Sequence, residues 1–420
     1  MKTLILSLLC ALTAAAAGDG FLLRGAVIHP VSGPEIPNGM LLVQDGRIAE
    51  VGAKVPVPKG VRIIEAKGLH VYPGLIDSGS QIGLAEISSV RETVDAVEIG
   101  DFNPQLRAIV AVHPASEHIP VTRANGITAA VTAPAGGVIS GQAALIHLDG
   151  WTWEEMQVRS PVSMMLQFPV IETRGGRFAA QRARRPFSEA KREYESRLQQ
   201  LREFFEQARR YQKAKLAGGP GFATDAKMEA MLPVLEGKLL LVAHAVRERA
   251  IREAVAFAES QKVRLVLAEA REAWKVADLL KQKNIPVILG PTLELPLEED
   301  DPYDKAYTLP AELHKAGVKF AFASFSTSFA RNLPYQAAMA VAFGLPHAEA
   351  LKALTLYPAE IWGVADLLGS IEKGKLADLI LTDGDPLETR TQLKQLFIRG
   401  REVDLDNKHL RLYEKYRQRP

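Results

Sequence analysis

Eight short apolar runs between residues 71 and 324 constrain the fold of this chain most strongly. In chain order they are VYPGLID, GITAAVTA, AALIHL, SMMLQF, LLLVAH, VRLVLA, IPVILG and VKFAFAS. Continuous apolar runs of this length are typical of strands buried on both faces, and helix-compatible stretches such as VRERAIREAVAFAESQK separate several of them. The sequence therefore predicts an α/β fold, a parallel (β/α)₈ TIM barrel over residues 71–366, close to the ~250 residues such barrels need.

An open, doubly wound parallel sheet is the alternative, because a count of strands does not by itself close a barrel. The only glycine-rich stretch that suggests a nucleotide site is APAGGVISGQ. It lacks both the GxGxxG spacing of dinucleotide-binding folds and the GK[ST] ending of a phosphate-binding loop. The barrel is accordingly the favoured prediction.

The two ends of the chain have a different pattern, with short alternating strands and frequent turn residues. Residues 18–70 include GMLLVQDGRIAEVG, where Asp45-Gly46 is a hairpin signal. Residues 367–405 return to the same pattern after the barrel. We expect these two segments to form one small β-sandwich domain beside the barrel, followed by a C-terminal tail at residues 406–420.

Residues 1–17 have the composition of a signal peptide. Lys2 precedes an apolar run from Leu4 to Leu12 that is too short to span a bilayer, and small residues follow up to Ala17. The prediction is cleavage near Ala17 and export to the periplasm or the medium. The only cysteine, Cys10, lies inside this segment, so the mature chain is expected to have neither disulfides nor thiolate metal ligands.

The charge balance argues against nucleic acid as a partner, since 51 Lys and Arg stand against 49 Asp and Glu. No later apolar run reaches the ~18 uncharged residues of a transmembrane helix. We therefore expect a small-molecule ligand or a protein partner and no transmembrane segment, and a homo-oligomer remains open.

The segment 172–215 differs from the rest of the barrel region in its charge, with 13 Arg or Lys against 6 Asp or Glu. Its apolar residues recur at helical spacing, which predicts an amphipathic helix inserted over the barrel mouth. Either this helix has a solvated basic face, or that face is a docking surface for an acidic partner; the sequence leaves both interpretations open.

Several quoted motifs together carry a family resemblance. The stretches MLLVQDGRIAEVG, YPGLID, RANGITAAVTAPAGGVISGQAALIHLDG and LLGSIEKGKLADLILTDGDPL occur in the order typical of the amidohydrolase superfamily, in its imidazolonepropionase-like branch. The chain resembles that family over nearly its whole length after the signal segment. The resemblance implies a barrel with a β-sandwich made from both termini. It also implies hydrolysis of peptide-like or non-peptide C–N bonds at one or two divalent metal ions.

The metal ligands that the resemblance implies are mostly replaced. The family's Asp-x-His-x-His on the first barrel strand corresponds to the pentapeptide from Asp77 to Gln81, with Gly79 and Gln81 where histidines are expected. The aspartate of the last barrel strand falls near Phe325, and no acid occurs nearby. Of the implied ligands His244 is kept, Glu269 replaces a histidine and His147 replaces a bridging lysine.

Two interpretations of this site remain open. In the first, the chain is a pseudoenzyme without cofactor that acts in binding or assembly, for instance beside a complete amidohydrolase. In the second, His147, His244 and Glu269 point into one mouth and hold Zn or another divalent metal, which makes a remodelled mononuclear hydrolase. The side chains that could then supply acid, base or supporting roles are Asp77, Glu86 and Gln142.

Overall fold

A computed structural model of the chain describes residues 20–172, 186–219 and 221–419, so the predicted signal peptide lies outside the described residues. Two eight-stranded sheets organise these residues. The first is assembled from both ends of the chain, and the second is the barrel between them.

The first sheet combines five N-terminal and three C-terminal strands. Its strands are β1 (Phe21–Ile28), β2 (Ile36–Gln44), β3 (Arg47–Gly52), β4 (Arg62–Glu65), β5 (His70–Pro73), β14 (Leu379–Thr382), β15 (Leu393–Ile398) and β16 (Arg401–Glu402). The two chain ends meet where β5 pairs antiparallel with β14. Asp45 and Gly46 have φ angles of 50° and 72° and form the predicted tight turn between β2 and β3. Both termini therefore contribute to one separate β-rich unit.

The second sheet is the predicted barrel. Its strands are β6 (Leu75–Ser80), β7 (Ile127–Thr132), β8 (Ile139–His147), β9 (Gln157–Gln167), β10 (Leu240–His244), β11 (Leu265–Glu269), β12 (Val287–Leu289) and β13 (Phe320–Phe322). They are neighbours in chain order, without the reversal that an open doubly wound sheet requires. The backbone N–H of Phe325 donates to the carbonyl of Gly79 at 2.8 Å and brings the last strand back to the first. The barrel prediction is confirmed.

One strand contradicts the prediction of an all-parallel barrel. Strand β8 runs antiparallel to both neighbours, β7 and β9. Only residues 133–138 separate β7 from β8, and so short a connection allows a hairpin but no crossover helix. The C-terminal end of β8 therefore lies at the opposite end of the barrel from the C-terminal ends of the other seven strands.

Helices cover the outside of the barrel, and one more lies near the C-terminal end of the described residues. They are α1 (His118–Arg123), α2 (Trp153–Met156), α3 (Phe187–Ala217), α4 (Ala226–Leu235), α5 (Glu248–Gln261), α6 (Ala277–Gln282), α7 (Lys305–Ala316), α8 (Leu333–Ala342), α9 (His347–Leu354), α10 (Leu356–Ile361) and α11 (Lys408–Arg417). Apolar side chains alternate along the strands between this outer layer and a second core inside the barrel.

The basic segment forms the predicted amphipathic helix from Phe187 onward, whereas residues 173–185 lie outside the described residues. Helix α3 packs against α5, with Phe205 and Phe257 edge to face at 5.2 Å and the Tyr194 hydroxyl donating to Glu253 at 2.8 Å. It belongs to the outer helical layer as part of the connection from β9 to β10, and none of its described side chains lines the cavity at the barrel mouth.

No helix among residues 20–172, 186–219 and 221–419 combines the length and the apolar character that crossing a membrane requires.

Candidate functional site

A cavity of about 310 Å³ opens where the parallel strands end and extends down the barrel axis. Its apolar walls are Val131, Met165, Val242, Ala268 and Ile288. Polar side chains lie two residues further toward the C-terminal ends of the same strands, because every second residue of a strand faces the barrel interior. Gln167 and His244 reach the mouth in this way from β9 and β10. The cavity is therefore apolar inside and polar at its rim.

The ring of Phe325 occupies the space beside Gly79, where the family's first-strand histidine would extend. A Cβ atom built on Gly79 would lie 2.9 Å from Cε1 of Phe325, closer than real Cβ atoms approach a carbon. Phe325 follows β13 with φ 44°, an unfavourable backbone angle for a bulky residue, and the hydrogen bond to Gly79 holds it there. An imidazole at position 79 and this phenyl ring exclude each other.

This contact predicts that a side chain added at position 79 destabilises the fold only while the Phe325 ring is present. We expect Gly79→Ala to lower the free energy of unfolding by about 1 to 3 kcal/mol through overpacking. In a Phe325→Ala background the same change should cost almost nothing, as urea unfolding of the four proteins of this double-mutant cycle would show. Gly33→Ala is the matched control, since no atom lies within 4 Å of its added Cβ. Equal costs of Gly79→Ala in both backgrounds would contradict the contact.

His244 and Glu269 are the two predicted metal ligands that the fold does bring together. Nδ1 of His244 lies 3.7 Å from Oε1 of Glu269, an ion-pair distance too long for a hydrogen bond. The imidazole holds the pKa of Glu269 below its usual value. Glu269 has φ 65°, which takes it out of the strand alternation and turns it toward the mouth. The ring of Phe325 packs edge-on against His244 at 5.5 Å.

Asp77 is fully buried in the wall at the junction of the first and last strands. Its Oδ1 accepts hydrogen bonds from the backbone N–H groups of Ser324 at 3.0 Å and Gly79 at 3.1 Å, and its Oδ2 accepts from the Ser324 hydroxyl. Burial raises the pKa of Asp77 to about 7, although these three hydrogen bonds oppose the shift. Asp77 thus holds the barrel closure together and does not line the cavity.

His147 is not at the mouth, so the predicted grouping of three ligands is wrong. It is the last residue of the antiparallel strand β8, paired with Ala129 near the beginning of β7. There its Nε2 lies 2.8 Å from Oδ2 of Asp378, just before β14. His147 therefore joins the far end of the barrel to the β-rich sheet.

Glu86 and Gln142 are also engaged elsewhere. Glu86 accepts hydrogen bonds from the Ser116 hydroxyl at 2.6 Å and the backbone N–H of Glu117 at 3.1 Å, which fix a surface loop. Gln142 donates from Nε2 to the carbonyl of Pro104 at 2.9 Å on the outer side of the barrel. Neither lines the cavity, so their expected placement near a shared site is wrong.

The donors at the mouth do not fit the metal centre that the resemblance implies. Gln81 lines the cavity but offers only a neutral amide, and Phe325 stands where an aspartate is expected. Within the described ranges, no group of three His, Cys, Asp or Glu side chains is arranged to hold a metal ion. The pair His244 and Glu269 remains, and two donors are fewer than the three protein ligands typical of catalytic zinc.

Ser78 and Trp362 are among the cavity residues that were not predicted from the sequence. Ser78 faces the interior because it lies two residues after the inward-facing Ile76, a signal that strand alternation could have given. Trp362 follows α10 and closes the far end of the cavity, where Arg159 near the beginning of β9 donates to its carbonyl at 3.4 Å. No local pattern in the sequence indicates that a residue after the last barrel strand forms this floor.

The sequence of this chain is similar to a known protein family and to a named fungal protein. The model of the amidohydrolase family matches residues 158–404, more than half of the chain. A protein named amidohydrolase tasK, from Hapsidospora irregularis, is 24% identical over 391 residues. That match covers 86% of this chain but only 39% of the relative, so the chain spans well under half of that protein's length.

Solved structures agree with the fold. An amidohydrolase from Thermotoga maritima MSB8 is 27% identical with a TM-score of 0.80, covering 91% of this chain and 99% of that one. A prolidase solved in complex with N-methylphosphonate-L-proline has 18% identity and a TM-score of 0.56, covering 92% of this chain and 99% of that one. The second similarity concerns the fold alone.

Proposed function

Since the chain belongs to the amidohydrolase family, we propose that it has kept the family's barrel as a small-molecule binding site and has lost the metal-dependent hydrolysis of C–N bonds. The observation that carries this proposal is the Phe325 ring against Gly79. A metal at the family position needs ligands from the first and last barrel strands. Here the first-strand motif supplies only the bare backbone of Gly79 and the neutral amide of Gln81, and the last strand supplies a hydrocarbon ring.

Binding remains possible because the cavity is intact. Its volume of about 310 Å³ is at the lower end of the range of small-ligand pockets, and its apolar walls and polar rim match their usual composition. A ligand would enter past His244 and Glu269 and displace water from the walls. The favourable free energy of binding would come mainly from this apolar burial.

Hydrolysis at a reduced site is the second candidate, and the pair His244 and Glu269 favours it. A carboxylate 3.7 Å from an imidazole at a cavity mouth can orient that imidazole as a general base toward a water molecule. It is placed second because, among the described residues, no group of three His, Cys, Asp or Glu side chains is arranged to hold a metal that would activate the water further. In this candidate, His244→Ala would abolish turnover of a C–N substrate without changing metal content.

The proposal also includes export and partners, which rest on the sequence alone. Residues 1–17 would direct the protein to the periplasm or the medium, and N-terminal sequencing of secreted protein should begin near Gly18. A protein partner, such as a complete amidohydrolase, would supply any chemistry that this barrel lacks. Light scattering and affinity purification from the native host would show whether the chain is monomeric, oligomeric or paired.

The experiment for the binding function compares the native protein with a variant whose cavity is filled. Ala268 is buried on the cavity wall, so Ala268→Leu should occupy part of the ligand space, whereas Ala268→Ser keeps the volume and serves as the matched control. Mass spectrometry of molecules released from protein purified from the native host should find a discrete compound with the wild type and the Ser variant. Its loss is expected with the Leu variant, and equal recovery from all three proteins would overturn the proposal.

A further inference from the structure

Helix α11 lies on the surface with its apolar side chains uncovered. The buried Asn407 that caps its first turn and the ion pair between Arg411 and Glu117 at 3.0 Å tie it to the body of the chain, but none of its ten residues is buried. Its apolar side chains, from 37% to 62% exposed, are Leu410, Leu412, Tyr413 and Tyr416. So short a helix has little stability of its own, and so exposed an apolar group indicates that another surface covers it.

The same helix is basic, with Glu414 as its only acid. Lys408, Lys415 and, just after the helix, Arg419 form no ion pair with any described residue. Lys415 and Arg419 instead lie over the ring of Tyr416, 5.6 and 4.4 Å from its centre. A surface that covers this helix must therefore offer carboxylates as well as apolar groups.

The chain itself carries a surface of this kind. Residues 293–304, which we call the acidic loop, connect β12 to α7 and contain six acids and no Lys, Arg or His. Glu299 and Asp300 are exposed and form no ion pair with any residue that the structure describes. Leu295 and Tyr303 are 83% and 78% exposed. The acidic loop thus combines unpaired carboxylates with uncovered apolar side chains, which is the surface that α11 requires.

The two surfaces belong to different parts of the barrel periphery. Helix α11 packs against α1, which precedes β7. The acidic loop follows β12 at the mouth, where its Pro296 and Leu297 line a small pocket together with Glu269. The unpaired charges of the two surfaces do not meet within the described part of the chain, so both surfaces remain available to another molecule.

We propose that a second copy of this chain covers both surfaces, with α11 of one copy packed against the acidic loop of the other. Lys415 and Arg419 then lie against Glu299 and Asp300, and the exposed tyrosines of α11 lie against Leu295. A two-fold dimer makes this contact twice, because each copy supplies one helix and one loop. Since the acidic loop borders the mouth, the second copy sits beside the entrance of the cavity. The inference goes beyond the proposed binding function and does not depend on it.

Charge reversal tests the contact from both sides. Lys415→Glu with Arg419→Glu gives a chain whose helix and loop are both acidic, and Glu299→Lys with Asp300→Lys makes both basic. In sedimentation velocity at low salt, we expect the wild type to dimerise and each variant alone to associate at least about tenfold more weakly, because like charges then face each other. An equimolar mixture of the two variants should dimerise again, since each helix meets a loop of opposite charge. High salt should weaken the wild-type dimer.

Two further variants separate the contact from general effects on the protein. Lys54→Glu with Lys59→Glu reverses two exposed charges in the connection from β3 to β4 and should leave dimerisation unchanged. Leu295→Ser removes an exposed apolar side chain from the acidic loop and should weaken the dimer at low and high salt alike. Circular dichroism of each variant would show that the fold is retained.

Three results overturn the inference: a wild-type monomer throughout its soluble range, a dimer that neither charge reversal weakens, or a mixture of the two variants that stays monomeric. A monomer that cosediments with phosphatidylglycerol vesicles and not with phosphatidylcholine vesicles would also overturn it, and would assign α11 to an anionic lipid surface. None of these results bears on the proposed binding function, which the comparison with Ala268→Leu tests separately.

Discussion

The free energy of unfolding should fall by roughly 3 kcal/mol as the pH rises from about 4 to about 7, through the titration of Asp77 alone. Its pKa is about 7 in the folded chain against a reference value of 3.8, so the native state holds a proton that the unfolded state releases. Stability therefore decreases with pH across this interval and levels off above it.

Asp77→Asn isolates this contribution, because an amide resembles the protonated carboxyl. In the protonated form, Oδ2–H can donate to the Ser324 oxygen while the Ser324 hydroxyl donates to the carbonyl of Ser326 at 3.0 Å. The Asn side chain can reproduce the same chain of hydrogen bonds. We expect the variant to be about as stable as the wild type at pH 5 and clearly more stable at pH 8.

Urea unfolding at both pH values checks this expectation, with Asp101→Asn on the exposed surface as the control. The control should follow the wild type at both pH values. If Asp77→Asn loses stability equally at pH 5 and pH 8, then Asp77 is ionised in the native state across this interval, and the burial argument is wrong.

Loss of His147 should be among the most destabilising single changes in the chain, although His147 is remote from the mouth. His147→Ala would leave Asp378 buried without its imidazole partner at the junction of barrel and β-rich sheet, at a cost of about 3 to 5 kcal/mol. Thermal or urea unfolding would measure this cost. His314→Ala is the control, because its side chain is 40% exposed and its partner Glu349 keeps the hydrogen bonds from Tyr357 and Lys352.

A double variant distinguishes this structural role from metal binding. Asp378→Asn removes the charge and keeps the acceptor for the backbone N–H of Arg399, so His147→Ala should cost less in that background. The content of bound metal should be the same in all four proteins of the cycle. A change in metal content with His147→Ala would contradict its assignment to the junction.

The barrel could be predicted from the sequence because each barrel strand is encoded by a short, continuous apolar run of neighbouring residues. Each of the eight apolar runs contains part or all of a barrel strand, as expected of strands buried on both faces. The direction of β8 was missed, although Gly136 and Gly137 lie in the six residues before it, and both adopt positive φ angles. The composition of an apolar run does not indicate whether its strand is parallel or antiparallel. The direction of β8 follows instead from the short connection that precedes it.

The site was predictable only where position along a strand determines what a side chain faces. His244, Gly79 and Gln81 lie at the mouth as the motif spacing implied. The position of His147 at the far end of the barrel was not predictable, because its partner Asp378 is 231 residues away in the chain. The contact between Phe325 and Gly79 joins the last strand to the first and likewise has no local signal.

The number of metal ions bound per chain distinguishes a lost metal site from a remodelled one. The protein would be purified without chelators, equilibrated with Zn²⁺, freed of unbound metal by gel filtration and measured by inductively coupled plasma mass spectrometry, alongside His244→Ala and Glu269→Ala. We expect far less than one metal ion per chain in all three proteins, with unchanged thermal stability after chelator treatment of the wild type. One tightly bound ion per wild-type chain, absent from both variants, would contradict it.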